Sequence, residues 1–422
     1  MSIWPFTKLG SIAEFKNGLN YSHENWGRGV KVIGVADFQD YLYPRYETLG
    51  EIDPRGVVRD QDYLEDGDIL FVRSNGNPAL IGRSLVIKEP PERVSHSGFT
   101  IRLRFTSDQV FLPFYVYLFR SSLIRSTLSV FGGGTNISNL NQEILRRLSV
   151  PVPSLPTQRK IATVLGAYDD LIEANRRRIV LLEKMAEELY REWFVRLRFP
   201  GHAKTKITKG LPAGWSLVQL ANAFDFTGGG TPSKEVSRYW QDGTINWFTP
   251  SDITAASGIF LDQSSDRCTE EGFAESSAKM FPAYSVMMTS RATIGAIGIN
   301  LTPACTNQGF ITCVPNERYP LPYLFHWLKL GKTHFELLSG GSTFAELTKG
   351  TFKKMAILTP PQALMDSFAE RERPMFQTIE ILQRQNANLT RTRDLLLPRL
   401  ISGKLAVDTL DIAFPPSLAA GR

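Results

Sequence analysis

Two textures of apolar and polar positions alternate along the chain. The first consists of short apolar runs bounded by Gly, Asn and Pro, such as Asp68–Arg73 and Ser84–Ile87, which predict short strands and tight turns. Within it, apolar faces begin behind Pro113 at Phe114–Phe119 and behind Pro322 at Tyr323–Leu328, each predicting a helix opened by its proline. The second texture starts after Pro156, where Ile161, Leu165, Tyr168, Ile172, Ile179, Leu182, Met185, Ala186, Leu189 and Trp193 recur mostly at three and four with charges between them. That spacing predicts an amphipathic helix with a single apolar stripe. Gly166 and the Asp169–Asp170 pair are expected to break or re-cap it, leaving a main segment from about Asp170 to Val195, roughly 40 Å long. The pattern returns after Pro361 with Ile379, Leu382, Leu389, Leu396 and Leu400, where Pro374 is expected to divide a short helix from a long one.

A long helix with one apolar stripe must bury it. Two such helices in one chain most simply bury their stripes against each other, giving an antiparallel spacer cored by Ile172, Ile179, Leu182, Leu189, Ile379, Leu389 and Leu396. The alternative is that each helix packs onto its own domain. Equal lengths and matching positions favour the first.

The chain also repeats itself. Trp4–Leu9 followed by Phe15–Gly18 aligns at constant offset with Trp215–Leu220 followed by Phe226–Gly229. Gly133–Leu140 matches Gly340–Leu347, and both lead into apolar runs, Leu148–Pro153 and Met355–Pro360. The middle is looser: Phe71–Ser74 with Gly82 pairs with Met288–Arg291 with Gly295, and Ser97–Phe99 pairs with Gln308–Phe310. Ile172, Leu182 and Leu189 correspond to Ile379, Leu389 and Leu396. A period of about 210 residues is far longer than the about 20 to 50 of a solenoid, so two tandem pseudo-equivalent halves are the better description. The fold class expected is mixed α/β (α+β), two globular domains separated by two long helices packed as an antiparallel coiled coil.

Composition changes this picture little. At 422 residues the chain exceeds one compact core, and 42% hydrophobic with 21% charged residues excludes both a disordered and a membrane-embedded chain. With no apolar stretch of membrane-spanning length and no leader at Met1–Pro5, a cytoplasmic location is expected. The net charge of +6 fits nucleic-acid binding but also many basic enzymes. Cys268, Cys305 and Cys313 include no CxxC pair and read as buried free thiols rather than a disulfide framework or zinc site.

Catalytic motifs are missing. Gly331–Thr333 resembles the tail of a phosphate-binding loop, yet His326 stands where its first glycine belongs. Asn77–Leu80 lacks the second proline and the aromatic of amino-group methyltransferases. His23, His96, His202, His326 and His334 show no metal-ligand spacing; His326 reads as a core residue, and His96 as a loop residue, exposed or touching a base. The glycine runs at Gly132–Thr135 and Gly228–Thr231 are either anion-cradling nests or plain turns. No catalytic, cofactor-binding or metal-binding residue is therefore assigned.

Two diverged modules at fixed separation suit the reading of two sites on one long ligand. Successive major grooves on one face of B-DNA lie about 34 Å apart, comparable to the expected helix length. The candidate DNA-contacting residues are Arg73, Ser74, Asn75, Asn77, Arg83, Thr135 and Asn136 in the first half, and Ser290, Arg291, Thr293, Asn307, Gln308, Ser342 and Thr343 in the second. Arg pairs bidentately with guanine, and Asn or Gln with adenine. Each taken alone also reads as a solvated loop residue.

With these features in view the whole chain resembles a specificity subunit of a type I restriction-modification system. The resemblance rests on the duplication together with Pro153–Ile161 leading into Asp169–Glu173 and the long helix, echoed by Pro360–Gln362 and Ile379–Glu380. It implies target recognition domains at 1–155 and 214–358, helical spacer regions at 156–199 and 359–404, a linker at 200–213 and a tail at 405–422. It further implies a subunit without its own active site that binds double-stranded DNA and recruits two adenine methyltransferase (modification) subunits and, in the larger complex, ATP-dependent restriction subunits. S-adenosylmethionine, ATP and Mg²⁺ would belong to those partners. The helical regions would set the gap between half-sites and dock the methyltransferases, through charged faces that include Arg176, Arg177, Arg178, Glu187 and Glu188. The second region departs from the pattern by carrying Pro374 and opening on Pro361–Met365, which bears on equal engagement of the two methyltransferase copies. The competing readings are a two-armed protein scaffold without DNA specificity and a stand-alone enzyme.

Overall fold

The computed structural model describes residues 4–38, 42–77, 80–91, 93–131, 140–340 and 345–414. The chain divides into two compact units, residues 1–172 with 388–422, and residues 173–387. Among the described residues no helix is long and apolar enough to cross a membrane.

The first unit runs through β1 (Phe6–Lys8), β2 (Ala13–Asn17), β3 (Trp26–Ile33), β4 (Gly50–Ile52), β5 (Ile69–Val72), β6 (Ser84–Val86), β7 (Val94–His96) and β8 (Thr100–Phe105). Helices α1 (Leu112–Arg120), α2 (Ser122–Phe131) and α3 (Gln142–Arg147) follow, then β9 (Ser149–Pro151) and α4 (Leu155–Tyr190). One sheet has the order β2-β8-β5-β6, a second β4-β3-β7 with β3 and β7 parallel, and β1 pairs antiparallel with β9. Ile69, Phe71, Ile101 and Leu103 of the first sheet pack on Phe114, Tyr115, Leu118 and Phe119 of α1. Proline in the first turn of α1 removes a donor that would have had no partner there.

The second unit takes up α4 from Glu173 and goes on to a hairpin of β10 (Ile207–Thr208) and β11 (Leu211–Pro212), then β12 (Ser216–Gln219), β13 (Phe226–Gly228), β14 (Ile245–Phe248), α5 (Pro250–Ala255), β15 (Phe260–Leu261), β16 (Asp266–Cys268) and α6 (Glu270–Ala274). It continues through β17 (Val286–Thr289), β18 (Ile297–Asn300), β19 (Ala304–Thr306), β20 (Phe310–Cys313), α7 (Leu321–Leu330), α8 (Lys332–Leu338), α9 (Lys349–Lys354), β21 (Ala356–Thr359) and α10 (Gln362–Ile401), whose residues from Asn388 onward belong to the first unit. Its sheets are ordered β13-β20-β17-β18-β15 and β16-β14-β19, with β12 paired to β21. Strand for strand these three sheets are those of the first half again, with β15 added at an edge; the β10–β11 hairpin has no counterpart there among the described residues. Even the one parallel pair of the smaller sheet recurs, β14 with β19.

Hydrogen bonds fix the residue-level equivalence. Leu9 N donates to Leu148 O as Leu220 N does to Met355 O, and Gly82 N to Val72 O as Gly295 N to Thr289 O. Both of these glycines have positive φ, 76° and 81°, which a side chain would resist. One alignment shifts by a residue: Thr100 opposes Val72 where Phe310 opposes Thr289, so the counterpart of Phe310 is Thr100 and that of Phe99 is Gly309.

The two long helices are continuous, against the expected breaks. Helix α4 passes through Gly166 and Asp169–Asp170 before a single π-helical turn at Arg191–Val195, and α10 passes through Pro374. Pro374 and Glu370, whose carbonyl loses its helical donor, are both exposed, so water can satisfy that carbonyl. The two helices run antiparallel. In the first unit Ile161 and Leu165 share a core with Leu397, Leu400 and Ile401, and Asp169 pairs with Arg393. In the second, Ile179 packs on Ile379 and Leu382 with Leu182 beside them, while Tyr190 and Trp193 pack on Phe368. Of the expected stripe, Ile172, Ile179 and Ile379 are buried and Leu182, Leu189, Leu389 and Leu396 partly so, whereas Met185 is 56% exposed. Asn175, absent from the expected stripe, takes its place in the seam at 2% exposure and donates to Asn386 Oδ1 at 3.0 Å.

Candidate nucleic-acid interface

In each half the loop after the central strand, β5 or β17, meets the turn before the last strand, β8 or β20. In the first half Arg73 N donates to Phe99 O at 2.8 Å, and Arg73 O accepts from Leu140 N at 2.9 Å. In the second, Ser290 N donates to Gly309 O at 2.7 Å and Ser290 O accepts from Leu347 N at 2.9 Å. The Gly18–Asn20 and Gly229–Thr231 segments lie against the same turns. A Cβ on Gly18 would collide with the Ser97 carbonyl, and one on Gly229 with the Asn307 carbonyl, so both positions require glycine. This crossing sets Arg73 and Ser74 against the 97–99 turn in the first half, and Ser290 against the turn that carries Asn307 and Gln308 in the second.

In the first half Arg73 is half-buried, with Nη1 3.4 Å from Gly98 O, and Ser74 N reaches Phe99 O at 3.4 Å. Asn75 is a turn former whose Oδ1 accepts from Asn77 N at 2.8 Å, while the Asn77 side chain is exposed. Arg83 is half-buried next to β6. In the second half Ser290 is buried, which leaves it a backbone partner. Arg291 is exposed and ion-paired with Glu346 at 2.8 Å, and Thr293 is exposed beside it. Asn307 is half-buried and accepts from Gly309 N at 2.9 Å. Gln308 is exposed and held by Thr231, which is not among the candidates: Thr231 Oγ1 donates to its Oε1 at 2.7 Å, and among the described residues no hydrogen bond engages the Gln308 amide nitrogen. Thr135, Asn136, Ser342 and Thr343 lie outside the described residues.

His96 is a correction. It is buried on β7 rather than in an exposed loop, with Nδ1 2.8 Å from Thr100 Oγ1. The Thr100 hydroxyl donates to Ser97 O at 2.8 Å and therefore accepts from the ring. Burial, reinforced by Arg102, lowers the His96 pKa to about 3, so the ring is neutral and its work is to brace the 97–99 turn. His326 is a core residue as expected, with Nε2 3.2 Å from the buried Glu372 on α10, whose pKa is raised by burial. The three cysteines are buried free thiols. Among the described residues no group of three His, Cys, Asp or Glu side chains is placed to hold a metal ion.

A further cluster in the second half went unnoticed in the sequence. Lys234 Nζ lies 3.6 Å from the Trp240 ring centroid and 4.7 Å from that of Trp247, and pairs with Asp266 at 2.6 Å. The aromatic and carboxylate partners hold this ammonium group at the surface next to the Gly228–Thr231 run.

Comparison with known proteins bears on these surfaces. The model of the type I restriction modification DNA specificity domain matches residues 1–184 and again 212–391. Over 424 residues the chain is 27% identical to the type I restriction enzyme MjaIX specificity subunit of Methanocaldococcus jannaschii, spanning 96% of this chain and 94% of that one. It is 25% identical over 321 residues to the HindI specificity subunit of Haemophilus influenzae, spanning 61% and 69%. The crystal structure of the type I restriction-modification system S subunit from M. genitalium superposes with a TM-score of 0.57 at 17% identity, over 94% of this chain and 96% of that one, a likeness of fold.

Proposed function

Because the chain belongs to the type I restriction-modification DNA specificity family, and is a DNA-sequence-specificity subunit of such a system, we propose that each half reads one half of a bipartite target. The observation that carries this is the duplication itself. One topology is used twice, and the crossings that carry the half-buried Arg73 and exposed Asn77 in one half, and the exposed Arg291 and Gln308 in the other, present different side chains. Identical frames with diverged readers suit two different half-sites.

The paired helices α4 and α10 set the unread gap and dock two adenine methyltransferase subunits, with ATP-dependent restriction subunits joining the full complex. The exposed face of α4 supports a docking role, because it carries Val180, Leu181 and Met185 in the open beside Arg176, Arg177 and Arg178. Glu187 and Glu188, also expected on that face, are paired with Lys329 and Arg196. Catalysis resides in the partners, which bind S-adenosylmethionine, ATP and Mg²⁺, and the chain works in the cytoplasm with the DNA.

The test is the modified-base map of host DNA with this gene present and deleted, the methyltransferase partner being expressed and active in both. A two-part adenine motif with a fixed gap that vanishes on deletion is the expected result. Unchanged methylation, with the partner shown to be bound, would overturn this reading in favour of a protein scaffold.

A further inference from the structure

The shift of one residue between the halves leaves an aromatic side chain without a core to fill. Phe310 is buried in the second half, but its structural counterpart is Thr100, so Phe99 occupies the place that Gly309 holds. Phe99 is 63% exposed, more than the other exposed aromatic side chains among the described residues.

Exposure of this kind on a frayed loop would mean little, but here the backbone is held on every side. Gly98 N donates to Leu19 O at 2.6 Å, Ser97 N to Ile33 O at 3.0 Å and Thr100 N to Ser97 O at 2.9 Å, while Phe99 O accepts from Arg73 N. The buried His96–Thr100 pair braces the turn from beneath. A large apolar ring fixed in water is unfavourable by the free energy of its hydration, and the turn does nothing to hide it. Pre-organised apolar groups at a rigid edge suit contact with a partner's apolar surface. The neighbours, Arg73 and Ser74, are polar and belong to the proposed reading surface, and the apolar group that DNA presents beside donors and acceptors in the major groove is the thymine 5-methyl.

We propose that Phe99 is a specificity-determining residue of the first half, packing on a thymine 5-methyl group in its half-site. The second half, with Gly309 at this position, reads by hydrogen bonds from Gln308 oriented by Thr231. This rests on the reading of the chain as a DNA-specificity subunit.

The experiment uses the full chain assembled with its methyltransferase partner, on duplexes carrying the methylated motif, with each first-half thymine replaced in turn by deoxyuridine. In the unaltered complex one replacement is expected to weaken binding about four-fold, the worth of burying one methyl group. Phe99→Ala should weaken binding to the thymine duplex at least as much and be indifferent to that same replacement, whereas second-half replacements affect both complexes equally. Phe99→Leu, which keeps an apolar contact, should retain most of the sensitivity. Binding by Phe99→Ala equal to the unaltered complex, or a loss coupled to no thymine methyl, overturns the proposal. Failure of the unaltered complex to prefer its motif over scrambled DNA would instead overturn the DNA-specificity reading.

Discussion

His96 shows what a single residue contributes beneath the candidate interface. Its pKa is lowered from 6.5 to about 3 by burial, with Arg102 and Lys16 opposing and Asp62 favouring the charge. Between those values the unfolded chain binds the extra proton, so the stability His96 allows is fully present above pH 6.5 and is lost progressively as pH falls toward 3. His96→Gln, which keeps a donor for Thr100 but does not titrate, is expected to flatten this acid limb in a melting series from pH 7 to 4, by an amount on the order of a few kcal/mol. An unchanged slope would show that another group carries it. The burial of His96 was illegible because β7 spans only three residues amid Ser95, Ser97 and Gly98, too few to display a period. The slip at Phe99 has a similar origin. A Gly-Phe pair occurs in both halves, and only the ladder hydrogen bonds decide which residues correspond.

At the scale of elements, local propensity yields to burial. Glycine in a helix interior costs about 1 kcal/mol and proline about 3, and α4 and α10 absorb both because the seam between them repeats at three and four along their whole length. Ile161, Leu165, Ile172, Ile179 and Ile379 were legible from period alone. Asn175, Asn386 and Glu372 were not, since a polar residue at a seam position looks like an interruption until its partner is seen. The Asn175–Asn386 pair favours one axial register, in which the two amides meet, at the expense of stability. Asn175→Leu alone deprives Asn386 of this bond and is expected to lower stability by about 1 to 3 kcal/mol. Asn175→Leu with Asn386→Leu is expected to restore or raise the melting temperature by calorimetry. A double variant as unstable as the single one would argue against the pair as a register device.

At the scale of the whole molecule what matters is length. If α4 and α10 set the gap, adding residues to both at facing positions lengthens the unread spacer and leaves each half-site alone. Four residues make one turn, but the seam follows a seven-residue repeat, so seven preserve its phase and add about 10 Å, on the order of three base pairs. The methylation motif of a variant with seven residues inserted in each helix is expected to keep both half-sites and gain that gap. An unchanged gap would remove the helices from that role.

Duplication, the mixed α/β class and the antiparallel helix pair were determined by sequence alone, because each is written in repetition over tens of residues that no local contact can erase. The tertiary structure decided the rest: which strand opposes which residue, where Phe99 and Gly309 part company, and which polar groups the seam accepts. These depend on hydrogen bonds and burial between segments distant in sequence, and a pattern along the chain carries no record of what lies across from it.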